Sequence, residues 1–176
     1  ILSLATEGAL DSGSLLVNGA AVATAIKGVR KLKNFDLCLH LCLTEGRPIG
    51  KEKEISYLVN NNGILNKSFS QLIGASFLPK SSLQRQRLEK ALRCEITAQL
   101  RHYKHLTGLS YVALDGHQHI HLTPIVLNII LGVSKEHGIN WIRTTHESLP
   151  TDIPYRQLIE TIRYGGLLKW SILHTL

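Results

Sequence analysis

Methionine is missing from the 176 residues. The chain cannot begin at its own initiator, which points to coding sequence lost upstream of Ile1. No apolar run reaches the ~18 residues a bilayer-crossing helix needs, so a membrane partner is not expected. No basic segment opens the chain as it would in a secretory signal. Only three cysteines occur, Cys38, Cys42 and Cys94. An odd count without framework spacing excludes a disulfide scaffold and suits a reducing, cytoplasmic setting. Blocks of five like charges are absent, and the net charge of +7 is spread over helices and loops without interleaved aromatics. That distribution argues against nucleic acid as the partner. Fixed-period repeats and low-complexity segments are also missing. Hydrophobic residues make up 44% of the chain, enough for one folded domain over residues 1–176.

What is present is alternation. ILSLATEGALDSG reads as the tail of a helix running into a turn at Asp11–Gly13, and SLLVN (14–18) as a short buried strand. Residues 20–32 are Ala-rich with apolar positions at helical spacing. FDLCLHLCLTEG follows as a strand, with Leu37, Leu39, Leu41 and Leu43 on one face and Asp36, Cys38, His40 and Cys42 on the other. The leucine face wants helices. The other face is small and polar, as the inside of a barrel or the lip of a pocket would be. Residues 44–80 look irregular, with a turn at NNNG (60–63), and a connection that long is functional or partly helical. Residues 82–106 form the clearest helix. Its stripe is Leu88, Leu92, Ile96, Leu100 and Tyr103, with Ser81 and Gln84 as a capping box and Gly108 as the stop. YVALD (111–115) is the next strand, Pro124 opens another helix ended by Gly138, and INWIRTT (139–145) is a further strand. Residues 155–164 and 167–174 read as helical. This is the order of an α/β fold with a parallel sheet and crossover helices. Active sites in such folds gather at the carboxyl ends of the strands. His40, Asp115 with His117, and Arg143 with His146 all fall near such ends.

Residues 115–124 read DGHQHIHLTP. Were 115–121 extended, Asp115, His117, His119 and His121 would share one face. Alternate Cα atoms would then lie roughly 6.6 Å apart. Two nitrogens on one metal must come within roughly 3.5 Å of each other. Neighbours at i and i+2 can lean together to do so; residues at i and i+4, about 13 Å apart, hardly can. A metal would therefore take one or two of the three, with the remaining ligands from a neighbouring strand, and His40 is the best candidate. Cys38 and Cys42 have the same wide separation and read as buried, small apolar residues. His102, His105, His137 and His174 lie on predicted helices and read as solvated or pocket-filling.

SLLVNG (14–19), LHLCLTEGRP (39–48), LDGHQHIHLTP (114–124) and HGINWIR (137–143) resemble, in order and spacing, the YdjC-type carbohydrate deacetylases. That family includes chitooligosaccharide deacetylases and hopanoid-associated members. The resemblance implies a (β/α) barrel of the polysaccharide-deacetylase type. It implies a divalent cation, magnesium or zinc, held by an aspartate and two histidines, which match His40 and His117 here. It further implies hydrolysis of an N-acetyl group on an amino-sugar oligosaccharide or related glycoconjugate. A bound cation acidifies water and polarises the amide carbonyl, and a carboxylate base completes the activation. Asp115, His119 and His121 are then the supporting catalytic candidates, Asp115 by orienting an imidazole. Asn18, Arg143 and His146 are candidate substrate contacts.

The chain departs from the family pattern in three ways. Family members carry a strand ending in paired aspartates, a metal ligand and a base, before the segment matching residues 1–10. They carry a histidine where Ala113 stands, and they continue beyond the region of Leu176. The barrel is thus expected to be incomplete, lacking its first and its C-terminal strands, with edges that could pair in a homodimer. Metal binding is expected to be weak and activity impaired. The alternative is a non-catalytic module that binds a sugar or a partner protein.

Overall fold

The computed structural model describes residues 1–144. Within them, Ile1–Arg143 form one compact unit. Helix α1 (Leu2–Thr6) precedes strand β1 (Ser12–Leu15), α2 (Val22–Val29) and β2 (Asp36–Leu41). Two short helices, α3 (Glu52–Ile55) and α4 (Phe69–Ser76), lead to the long α5 (Leu83–Thr107). Then come β3 (Val112–Gly116), a 3-10 segment (His117–Leu122), α6 (Pro124–His137) and β4 (Ile139–Ile142). The helices expected over 155–164 and 167–174 lie outside the described residues.

The four strands pair in the order β1-β2-β3-β4, all parallel. Parallel neighbours need crossover connections, and α2, α5 and α6 lie in them. This is the α/β alternation expected from the sequence. The leucine face of β2 behaves as its alternation predicts. Leu39, Leu41 and Leu43 are fully buried, as are Leu92, Ile96, Leu100 and Tyr103 along the stripe of α5. Tyr103 also donates its hydroxyl proton to the Leu37 carbonyl, at 2.6 Å. Gly108 and Gly138 end α5 and α6 in left-handed conformations, as glycine alone does without strain.

Three local readings need correction. The expected capping box at Ser81 and Gln84 does not form: Ser82 is the N-cap of α5, and its side chain makes no capping bond. The box forms instead at Ser68 and Gln71, opening α4 inside the stretch read as irregular. The alternation of β2 also stops short of Cys42. That residue is buried, and its main chain pairs with the Gln99 side chain, N–H to Oε1 at 3.2 Å and carbonyl to Nε2 at 2.6 Å.

Candidate active site

His40 stands one residue before the end of β2, and Asp115 one before the end of β3; the two are register partners. Parallel register puts paired residues on one face, so the side chains meet. His40 Nδ1 lies 2.7 Å from Asp115 Oδ1, and Ser14 Oγ, from β1, donates to Oδ2 at 2.8 Å. Asp115 is 6% exposed. Burial pushes its pKa up, but the hydrogen bonds from His40 and Ser14 outweigh this and hold the carboxyl below its ordinary value. An ionised carboxylate only accepts, so the His40 proton sits on Nδ1 and Nε2 carries a lone pair.

That lone pair has a direction. His40 Nε2 lies 3.4 Å from His117 Nδ1, with the rings edge-on at a centroid distance of 5.5 Å. His117 follows β3 directly, and its Nε2 lies 3.5 Å from Glu45 Oε1. That carboxylate is mostly exposed, so the contact contributes little energy. Two imidazole nitrogens on one tetrahedral cation, each bound at ~2.0–2.1 Å, stand roughly 3.4 Å apart. The His40–His117 pair therefore fits two corners of such a site. Among the described residues, no group of three His, Cys, Asp or Glu could hold a metal ion.

The histidine tract is not extended. It turns, with Gln118 at φ 53° and His119 at φ 58°, both left-handed. Non-glycine residues avoid this region, and holding two in succession takes strong surroundings. The buried His121 is part of those surroundings. The turn brings its ring back against Gly116, where an added Cβ would stand 2.5 Å from His121 Nδ1 and 2.9 Å from its Cβ. His121 Nε2 lies 2.9 Å from the Arg143 carbonyl, which only accepts, so this nitrogen carries the proton. Burial holds the His121 pKa down, with the Arg143 carbonyl pulling the other way. His121 thus ties the end of β3 to the residue after β4. His119, partly exposed, stands at the turn with its ring 6.3 Å from that of His121.

The substrate-contact candidates are placed as follows. Asn18 Nδ2 donates to the Glu45 carbonyl at 3.1 Å, bracing the turn at Gly46, and its Oδ1 has no partner among the described residues. Arg143 enters through its main chain, by the His121 contact and an N–H bond to the Leu114 carbonyl at 2.9 Å, and the residue is exposed. His146 lies outside the described residues. Cys38 is half-buried, and burial, with Asp115 and Asp36, pushes its thiol pKa up, which makes it a poor nucleophile. Ser14 and Glu45 escaped the sequence reading. Ser14 is the register partner of Cys38, which shares a face with His40, so carrying the β2 alternation across to β1 would have found it. Glu45 carried no such signal.

A family profile described as YdjC-like protein matches residues 1–170. Curated relatives include carbohydrate deacetylases of Xenopus laevis (31% identity over 74% of this chain), Mus musculus (31% over 80%) and Homo sapiens (31% over 77%). The matches cover 40%, 43% and 40% of those proteins, so the chain spans well under half their length. Among solved structures, a candidate cellobiose-phosphate cleavage protein of Enterococcus faecalis V583 aligns with a TM-score of 0.62. It is 18% identical, over 86% of this chain and 54% of that one, and it shows the shared fold.

Proposed function

The chain belongs to the YdjC-like protein family, and from that premise we propose that it derives from, and retains the core site of, a metal-dependent carbohydrate N-deacetylase. Its substrate class is N-acetylated amino-sugar oligosaccharides or related glycoconjugates. One observation carries the reading: two imidazole nitrogens from different strand ends face each other at 3.4 Å, with a buried carboxylate behind one of them.

His40 and His117 are the residues that would hold the cation, magnesium or zinc. When bound, the cation supplies the Lewis acidity that polarises an N-acetyl carbonyl and acidifies water. Asp115 accepts the hydrogen bond of the His40 Nδ1–H and so keeps Nε2 bare. His119 is assigned proton transfer to the departing amine, the task histidine performs most often in such chemistry. His121 holds the turn that carries His119. Asn18 Oδ1 offers an acceptor to a sugar hydroxyl or amide N–H, and Arg143 and His146 are assigned to the outer part of the sugar chain. Turnover by these residues alone is expected to be low, because the described residues supply only two metal ligands.

Calorimetric titration with zinc, on the parent chain and on His40→Ala and His117→Ala, tests the metal assignment. Either substitution should weaken binding by at least about tenfold, the lower bound seen even for groups that only support a ligand. Unchanged affinity in both would reject the assignment and leave the non-catalytic sugar- or partner-binding module standing. Acetate release from diacetylchitobiose should be slow; fast turnover would show a complete catalytic set.

A further inference from the structure

We propose that Ser14 is a positioning residue of this site: its hydroxyl fixes the carboxylate plane of Asp115 and, through it, the tautomer and tilt of the His40 ring. A carboxylate held by one imidazole can still rotate about its terminal torsion and offer either oxygen. The second bond, from Ser14 Oγ to Oδ2 at 2.8 Å, removes that freedom and leaves Oδ1 to His40 at 2.7 Å. Ser14 and Asp115 belong to β1 and β3, which are not neighbours, so the bond reaches across β2. The residues level with Ser14 allow this. Ser14 pairs with Cys38, and because Leu39 pairs with Leu114, Cys38 stands level with Ala113. All three are small, and the row lies one step below His40 and Asp115 on the same face.

Ser14 itself is exposed. Its bond therefore contributes to orientation more than to stability, which separates the proposal from a merely structural role. The effect on metal affinity rests on the reading of His40 as a ligand; the effect on the tautomer does not.

The test compares the parent, Ser14→Ala and Ser14→Thr. Long-range proton–nitrogen NMR of the metal-free protein, recorded on the alkaline side of the ordinary imidazole range, reads the His40 tautomer. The parent and Ser14→Thr should show one form, protonated at Nδ1. Ser14→Ala should add the Nε2-protonated form while melting within about 2 °C of the parent. Zinc affinity should fall about three- to tenfold in Ser14→Ala, less than for a group bonded directly to a ligand, and recover in Ser14→Thr. A single Nδ1-protonated form in Ser14→Ala, or mixed forms already in the parent, would overturn the proposal. So would a loss that Ser14→Thr fails to restore, or a large drop in melting temperature with the tautomer unchanged. If the parent binds no zinc, the metal reading fails and the tautomer comparison alone decides Ser14.

Discussion

Gly116 shows how little room the histidine turn has. Its φ of −150° is ordinary extended backbone, so the need for glycine there is one of space. Its missing Cβ leaves room for a ring that is buried and cannot yield. Gly116→Ala should cost about 1–3 kcal/mol by overpacking, read as a lowered urea midpoint with an unchanged slope. His121 sets a second expectation. Its folded pKa lies below 6.5, the value it takes when unfolded. As pH falls the unfolded chain takes up that proton first, so this contribution is complete above 6.5 and is lost as pH falls towards the lower folded value. Urea unfolding at stepped pH should show the decline beginning near 6.5, and His121→Gln should lessen it, the buried His137, also lowered, supplying the remainder. Asp115, also lowered, adds a separate loss below 3.8. At this scale the sequence was legible in kind and not in shape. Three histidines in five residues marked the candidate site, but their period of two suited an extended tract. Neither glutamine nor histidine announces the left-handed backbone that Gln118 and His119 adopt.

Among elements, α5 was the most legible, because its apolar stripe is long and regular and meets a leucine face of matching length. Its polar interior could not be read. Glu95 is fully buried and accepts from the Ile49 N–H at 3.0 Å, the Gly50 N–H at 2.7 Å and Gln99 Nε2 at 2.7 Å. With Gln99 on Cys42, it pins both ends of the segment that carries Glu45 past His117. In sequence Glu95 looks like any charge on a helix, since two of its three partners are main-chain groups about 45 residues away. Glu95→Ala would leave those donors without an acceptor and should destabilise by about 2–4 kcal/mol in chemical denaturation. The misplaced capping box has a plain cause. S-x-x-Q occurs at both Ser68 and Ser81, and the pattern alone does not choose between them. Only at Ser68 do the two reciprocal bonds form, and Ser68→Ala should cost about 1 kcal/mol.

For the molecule as a whole, the order of strands and helices carried the fold class, and the strand ends carried the candidate site. Both follow from parallel topology, which sends every crossover back to the same edge of the sheet. The described strands form one four-stranded parallel sheet. The two imidazoles belong to sequence positions 77 residues apart, on the ends of adjacent central strands. A cation held between them would be bound by the folded unit and not by the unfolded chain, where those positions are far apart. Zinc should therefore stabilise all of Ile1–Arg143 as one unit, by about 2.7 kcal/mol at a hundredfold excess over the dissociation constant. Thermal unfolding with and without zinc reads this directly. At the same zinc concentration the shift should fall to about half or less in both His40→Ala and His117→Ala, as a tenfold or greater loss of affinity requires. An undiminished shift in both variants would place the ion elsewhere, on surface histidines such as His102 or His105, and would detach metal binding from this sheet edge.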